Sequence, residues 1–148
     1  MHNWYLKMNQ QIRVGVIGYS SKKFDMDEAL DDVKNAFDLI EIKYKGKEII
    51  IISGLTNIGI PGIAYEEAKI RNWKTIGIAP KEAQEYECFD VNKTYFVGDK
   101  FGDESEFFIN YIDILLKIGG GEQSKKEKKM AEGKHIPILE YNLELTDI

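Results

Sequence analysis

Apolar residues along the chain follow two spacings, short continuous runs and runs with helical periodicity. The continuous runs predict buried strands at 13–18, 48–53, 75–79, 94–97, 114–118 and 136–139. Between them, apolar positions three or four apart predict helices at 27–40, 61–72, 81–86, 103–111 and 124–132. Because strands that alternate with helices pair in parallel through right-handed crossovers, the predicted fold class is α/β, a three-layer Rossmann-like sandwich with a mainly parallel sheet.

The length of the chain is that of one domain. Its 148 residues contain no repeat, low-complexity tract or linker, so we expect a single Rossmann domain at 12–148 after an N-terminal tail at 1–11. The longest aliphatic run, 49–52, is far shorter than the roughly 20 residues that a membrane-spanning helix needs. The first ten residues lack the apolar region of a signal peptide. We therefore expect a cytoplasmic protein without a membrane partner.

The composition of the chain limits the partners, disulfides and metal sites that we expect. Twenty Lys and Arg against 25 Asp and Glu give a net charge of −5, which argues against nucleic acid as a partner. The single cysteine, Cys88, excludes an internal disulfide and suits a reducing compartment. With only His2 and His135 beside it, soft ligands are too few for zinc, and we expect neither a metal nor a cofactor.

Seven of the 13 glycines cluster where three predicted strands end, in loops at 18–21, 53–62 and 119–124. Parallel sheets bind ligands at the carboxyl ends of their strands. Glycine lets backbone N–H groups approach a ligand, and a following helix N-terminus adds unpaired donors. Together the loops predict a phosphate or nucleotide site, although each could also be only a tight strand-to-helix connection. Their spacing matches neither a Walker A motif nor GxGxxG.

These loops supply the candidate ligand-binding residues. Tyr19 could stack on a base or simply pack beside the strand end. The full set is Gly18, Tyr19, Ser20, Ser21, Gly54, Thr56, Gly59, Gly62, Gly120, Gly121, Gln123 and Ser124.

The ordered loop segments resemble a known family. Segments 54–68 (GLTNIGIPGIAYEEA), 76–80 (IGIAP) and 113–121 (DILLKIGGG) resemble those of the LOG family, once labelled "possible lysine decarboxylase". That family belongs to the SLOG, or DprA/LOG-like, Rossmann superfamily, and the resemblance runs from about residue 13 to about residue 139. It implies either hydrolysis of the N-glycosidic bond of nucleoside 5′-monophosphates or, as in molybdenum-cofactor carriers and nucleotide-signal sensors, binding without catalysis. It also implies a homo-oligomer.

One motif of that family is present in degenerate form. The family pattern PGGxGTxxE falls on 119–127, GGGEQSKKE, which keeps two glycines, the hydroxyl of Ser124 and the final Glu127. The resemblance implies that Glu127 is catalytic and stabilises the ribosyl cation. The same two residues also fit a capping box, S-x-x-E, in which they would only satisfy the helix N-terminus. Both interpretations stay open at this point.

A second departure weakens the hydrolase interpretation. Where LOG hydrolases carry a catalytic arginine, this chain has Glu104, and no arginine follows Arg71. A carboxylate cannot replace a guanidinium that clamps phosphate. The leading interpretation is therefore binding of a nucleotide or related phosphorylated molecule. The alternatives are an active phosphoribohydrolase, a carrier or scaffold subunit with a vestigial site, and a DprA-like DNA-handling module, which the acidic charge opposes.

Two further features are predicted with less specificity. Lys117 interrupts an apolar strand near its end, so it could point into the site or extend outward at a sheet edge. Gly133 follows the last predicted helix, where glycine is typical of the first residue beyond a helix C-terminus.

Overall fold

A single sheet organises the chain in the computed structural model, which describes residues 10–20 and 23–146. Its order is β4-β3-β2-β1-β5-β6, and every pairing between these strands is parallel. The α/β fold class predicted from the sequence is confirmed. The strands are β1 (Gln11–Gly18), β2 (Glu48–Ser53), β3 (Lys74–Ala79), β4 (Lys93–Phe96), β5 (Ile114–Ile118) and β6 (Ile138–Tyr141).

Helices cover both faces of this sheet, which gives the expected three layers. They are α1 (Met26–Lys43), α2 (Gly59–Ile70), α3 (Ser105–Tyr111) and α4 (Glu122–Gly133), with a 3-10 turn at Lys81–Glu85. Residues of α1 and α2 share one core with the sheet, and residues of α3 and α4 share the other. Among the described residues, none of the helices combines the length and apolar character that crossing a membrane requires.

The strand β2 shows why the apolar runs that form strands do not alternate with polar residues. Ile49 and Ile51 pack into the core beneath α1 and α2, whereas Ile50 and Ile52 pack into the core beneath α3 and α4. A strand that is buried on both faces needs apolar residues at consecutive positions. The predicted bounds of β2 and β5 therefore coincide with the observed ones.

Helix bounds depend on capping more than on apolar spacing. Asp25 caps α1, and its Oδ1 accepts from the N–H groups of Asp27 at 2.9 Å and Glu28 at 3.1 Å. The prediction for the end of α4 is wrong: Gly133 is the last helical residue, and the left-handed conformation falls on His135, with φ of 59°. Lys134 caps this end through hydrogen bonds from its own N–H.

The start of α4 also differs from the prediction. Gly119 and Gly120 both have positive φ, 59° and 119°, so the chain turns sharply after β5. The helix then begins at Glu122 with Gly121 as its N-cap, two residues before the predicted start at Ser124. This shift changes what Ser124 and Glu127 can do.

The strand order places a topological switch point beside β1. The chain runs from β1 outward through β2 and β3 to β4, then returns to place β5 and β6 on the other side. Loops that leave β1 and β5 therefore diverge to opposite faces, and such a divergence opens a crevice at the carboxyl ends of the strands. The strand β1 begins at Gln11, within the segment predicted as a tail, and residues 1–9 lie outside the described part.

Candidate functional site

A cavity of about 260 Å³ lies at this switch point. It is enclosed by the loops after β1, β2, β3 and β5, by the segment before α3 and by the first turns of α4. This volume is close to the lower end of the roughly 300–1,000 Å³ typical of small-molecule sites. The lining residues are 16–20, 53–56, 61, 78–80, 101, 104, 108, 121–124 and 127.

Most of the predicted site residues come together here. The ones that line the cavity are Gly18, Tyr19, Ser20, Gly54, Thr56, Gly121, Gln123, Ser124 and Glu127. Three predicted residues do not line it, namely Gly59, Gly62 and Gly120. The remaining one, Ser21, lies outside the described residues.

The glycines that do not line the cavity shape the loops that do. Gly59 has φ of 65° and lies so close to the backbone of Tyr19 and Ser20 that a Cβ would collide with it. A Cβ on Gly120, whose φ is 119°, would lie 2.5 Å from the Cβ of Ser124. Both positions require glycine for backbone reasons, so they hold the loops together without contacting the cavity.

The two helix N-termini near the cavity are not equivalent. At α2, the N–H of Ile60 donates to the Tyr19 carbonyl at 2.8 Å, and Pro61 has no N–H to offer. At α4, Gly121 provides no side-chain cap, and the first intrahelical bond runs from Lys125 N–H to the Gly121 carbonyl at 3.1 Å. The N–H groups of residues 122–124 have no partner among the described residues. The start of α4 is therefore the stronger anion-binding element.

The loop after β2 is held by a segment that sequence patterns do not reveal. Phe89 N–H donates to the Leu55 carbonyl at 2.8 Å, and Asn57 N–H donates to the Glu87 carbonyl at 2.9 Å. The exposed Cys88 between them pairs with Thr56 as an isolated antiparallel bridge. The segment 87–89 has no periodicity, so its contact with the site was missed.

Tyr65, on the helix α2, holds the end of β2 through its hydroxyl group. Its buried hydroxyl accepts from Ser53 N–H at 3.0 Å and lies 2.7 Å from the Gly54 carbonyl and 3.1 Å from the Ile76 carbonyl. Burial raises the pKa of this phenol, so the hydroxyl keeps its proton as a donor. Ser53 in turn donates through Oγ to the Val16 carbonyl at 2.6 Å, which ties β2 to β1 beside the cavity.

Two buried carboxylates, Glu104 and Glu127, line the cavity with 6% and 5% of their surface exposed. The amide of Gln123 bridges them, since its Nε2 lies 3.2 Å from Oε2 of each. Ser105 Oγ also donates to Glu127 Oε2 at 2.7 Å, and Gly102 N–H donates to Glu104 Oε1 at 2.8 Å. Neither carboxylate forms an ion pair among the described residues.

Burial raises the pKa of Glu127, and the neighbouring Glu104 raises it further, against the opposing effect of hydrogen bonds from Ser105 and Gln123. The charged residues that line the cavity are all acidic, Glu104, Glu122 and Glu127, and no lysine or arginine lines it among the described residues. The described chain also has no group of three or more His, Cys, Asp and Glu that could hold a metal ion.

The capping-box interpretation of Ser124 and Glu127 is wrong. Because α4 begins at Glu122, Ser124 lies inside its first turn and cannot be the N-cap. Glu127 directs its carboxylate toward Ser105 on α3 and Gln123 on its own helix. The local pattern S-x-x-E fits either arrangement, and only the positive φ angles of the preceding glycines decide between them.

Phe101 is a lining residue that the sequence analysis missed. It lies in the loop between β4 and α3, is 44% exposed, and packs on Tyr86 with a centroid separation of 5.9 Å. The loop carries Gly98 and Gly102 with positive φ, a signal comparable to the one used for the other loops. Tyr19 also lines the cavity, but its ring stacks on Phe24 at 6.1 Å.

Lys117 neither points into the cavity nor extends outward at a sheet edge. It is buried, and its Nζ donates to the Gly119 carbonyl at 2.8 Å and pairs with Glu140 at 3.2 Å. Lys128 also pairs with Glu140 at 2.7 Å, and its hydrogen bond is the main reason that the pKa of Glu140 is lowered. Lys117 therefore fixes the first peptide of the loop between β5 and α4.

Comparison with known proteins supports the fold. No family model matches the chain, and no curated protein matches it in sequence. Among solved structures, the molybdenum cofactor carrier protein from Chlamydomonas reinhardtii is 21% identical with a TM-score of 0.70, covering 88% of this chain and 76% of that one. The molybdenum cofactor binding protein of the phototrophic bacterium Rippkaea orientalis is 20% identical with a TM-score of 0.73, covering 89% and 77%. These similarities establish a shared Rossmann-like fold.

Proposed function

We propose that this protein binds a small phosphorylated ring compound, a nucleotide or a related cofactor, in the cavity between β1 and β5 and acts as a binding or carrier protein. The observation that carries the proposal is the uncapped N-terminus of α4, which opens onto a cavity formed by three glycine loops. The solved structures of similar fold that bind a molybdenum cofactor are consistent with such a role.

The anionic group of the ligand would bind at the first turn of α4. The N–H groups of residues 122–124 have no hydrogen-bond partner in the described part of the chain, and the helix dipole adds partial positive charge at this end. Ser20 and Thr56 line the same cavity and can donate hydroxyl hydrogen bonds. Backbone groups and hydroxyls can therefore hold a phosphate although the lining has no cationic side chain.

The same absence of lining cations favours binding over catalysis. A phosphoribohydrolase must hold its substrate while positive charge develops on the ribose, and the arginine of LOG hydrolases is replaced here by the buried carboxylate of Glu104. No described residue of the lining supplies a guanidinium or ammonium group. The acidic lining therefore supports binding without hydrolysis.

Calorimetric titration tests this proposal. The panel is AMP, GMP, CMP, UMP, ribose 5-phosphate and inorganic phosphate, with Glu122→Pro and Glu122→Ala as a matched pair of variants. Proline is tolerated at the first helical position and removes one N–H, whereas alanine removes only the carboxylate. A lost charge-assisted hydrogen bond of about 1.5–3 kcal/mol should weaken binding by at least about tenfold in the proline variant alone. If no compound binds, or if both variants bind alike, the proposal fails.

A second candidate function is hydrolysis of a nucleoside 5′-monophosphate, in which water adds across the N-glycosidic bond and releases base and ribose 5-phosphate. The observation that favours it is the buried Glu127 in the cavity wall, whose raised pKa suits it to hold a proton. Incubation with the four nucleotides at high enzyme concentration should release free base, and Glu127→Gln should abolish the release. No release by the unaltered protein excludes this function.

The proposal also covers the oligomeric state and the cellular location of the protein. We infer a homo-oligomer in the cytoplasm, on the resemblance to LOG proteins and the presence of one exposed, unpaired cysteine. Light scattering coupled to size exclusion measures the oligomer, and a mass near the 17.0 kDa of the single chain contradicts it.

A further inference from the structure

The acidic end of the cavity is not explained by an anionic ligand alone. Glu104 and Glu127 are buried, lie on one wall and have no cation to neutralise them among the described residues. Paired buried carboxylates are costly unless a proton, a cation or hydrogen-bond donors compensate them. Gln123, Ser105 and Gly102 supply hydrogen-bond donors to the pair, but these donors are neutral and bring no positive charge.

The unused acceptor is Glu127 Oε1. Both hydrogen bonds to this carboxylate reach Oε2, and Oε1 accepts none among the described residues. This oxygen also retains some accessible surface, because the only fully buried side-chain atoms without a partner among the described residues are Asp32 Oδ2 and Glu67 Oε1. An accessible carboxylate oxygen on the wall of a cavity can accept a hydrogen bond from a ligand.

An aromatic side chain, Phe101, lies three residues before Glu104 along the chain. Phe101 lines the cavity, is partly exposed and is supported by Tyr86. Its backbone is fixed, because its N–H donates to Glu82 Oε1 at 3.0 Å. An exposed aromatic ring beside hydrogen-bond acceptors is the arrangement that binds a planar heterocycle by stacking and edge recognition.

We infer that Glu104, Glu127 and Phe101 form a subsite for a planar heterocycle that carries an amino group beside a ring N–H, the donor edge of guanine and of 2-amino-4-oxopteridines. The carboxylates accept from this edge, and Phe101 stacks on the ring. A donor edge also compensates the charge that the protein leaves unpaired. The inference rests on the proposed function, and it assigns the ring end of that ligand.

Alternative occupants suit the subsite less well. A divalent cation has less support, because the described residues provide no group of three or more His, Cys, Asp and Glu that could hold a metal ion. A second phosphate is excluded by charge, because the carboxylates would repel it. A proton shared by the two carboxylates would reduce their charge, but it gives no role to the partly exposed ring of Phe101.

Calorimetric titration of the unaltered protein with GMP and IMP tests the inference. These nucleotides differ by the exocyclic amino group alone. A charge-assisted hydrogen bond of about 1.5–3 kcal/mol corresponds to at least about tenfold tighter binding of GMP. Equal affinities for GMP and IMP would overturn the inference. The proposed function would survive that result if both nucleotides bind and Glu122→Pro weakens both, whereas both proposals fail if neither nucleotide binds.

Two variants test the contribution of Glu104, the second carboxylate of the subsite. Glu104→Gln keeps the size of the side chain and an acceptor for Gly102 N–H, and it should reduce the GMP preference to less than about threefold. The control is Glu106→Gln, which removes the same charge from an exposed position on α3 and should leave the preference unchanged. An undiminished preference in a folded Glu104→Gln protein contradicts the role of Glu104. The comparison of GMP with IMP tests the inference on the unaltered protein, so it does not require either variant to fold.

Discussion

The hydroxyl of Tyr65 holds the end of β2 at the cavity wall. The substitution Tyr65→Phe measures how much this hydroxyl contributes to the stability of the fold. The substitution leaves the ring in place within a fully buried position and removes one oxygen. The Ile76 carbonyl of β3 then loses a contact of 3.1 Å. Ser53 N–H loses its acceptor, and the Gly54 carbonyl loses its donor. Both groups lie where β2 ends and lines the cavity.

The magnitude follows from the burial of these two groups. An unsatisfied buried polar group costs about 1–3 kcal/mol. Ser53 is 1% exposed and bears the whole cost, whereas the Gly54 carbonyl lies at the cavity wall, where water can replace the lost partner. We therefore expect the free energy of unfolding to fall by about 2–3 kcal/mol, which corresponds to roughly 4–12 °C in Tm for a chain of this size.

Urea denaturation followed by circular dichroism measures this change. The matched control is Tyr44→Phe, because the Tyr44 hydroxyl makes no hydrogen bond among the described residues and its ring is only partly buried. That control should change the free energy of unfolding by less than about 0.5 kcal/mol. A loss below about 1 kcal/mol for Tyr65→Phe would refute the claim that this hydroxyl holds the end of β2.

Two further predictions concern charge and backbone. Because the folded-state pKa of Glu127 lies above its ordinary value of 4.5, the folded protein keeps this proton where the unfolded chain has lost it. The free energy of unfolding therefore falls as pH rises through the interval just above 4.5. In a series of melts at different pH, Glu127→Gln should remove this slope. The control Glu132→Gln, at an exposed position, should retain it. Gly59→Ala should destabilise the fold by more than about 1–2 kcal/mol, since it combines a left-handed φ with a collision against the Tyr19 carbonyl. Gly133→Ala, in open space within α4, should instead be neutral or stabilising by up to about 1 kcal/mol, and equal melting temperatures for the two variants would contradict the backbone argument.

The sequence predicted those parts of the fold that burial on two faces determines. The runs that form β2 and β5 are continuous because no solvent face interrupts them, so their bounds were read correctly. The glycine loops at 18–20, 54–56 and 121–124 were placed in the cavity wall for a similar reason, since parallel strands must end at one edge.

The rest of the site depended on long-range contacts, or on local signals that the sequence analysis did not use. Phe101 and Glu104 come from the loop after β4, whose short strand shows only weak apolar patterning. The capping-box pattern at Ser124 was misleading because the same residues serve a helix that begins two positions earlier. The bond from Lys117 to the Gly119 carbonyl likewise depends on Glu140 of the neighbouring strand, which is distant in sequence.

Amide chemical-shift mapping by NMR, with GMP titrated into the labelled protein, tests the central claim most directly. The account predicts saturable shifts concentrated at residues 18–20, 54–56, 101–104 and 121–127, the segments that meet in the cavity. It also predicts that ribose 5-phosphate reproduces the shifts at 122–124 without those at 101–104. Shifts that fall outside these segments, or no saturable shifts with GMP, would contradict a ligand site between β1 and β5.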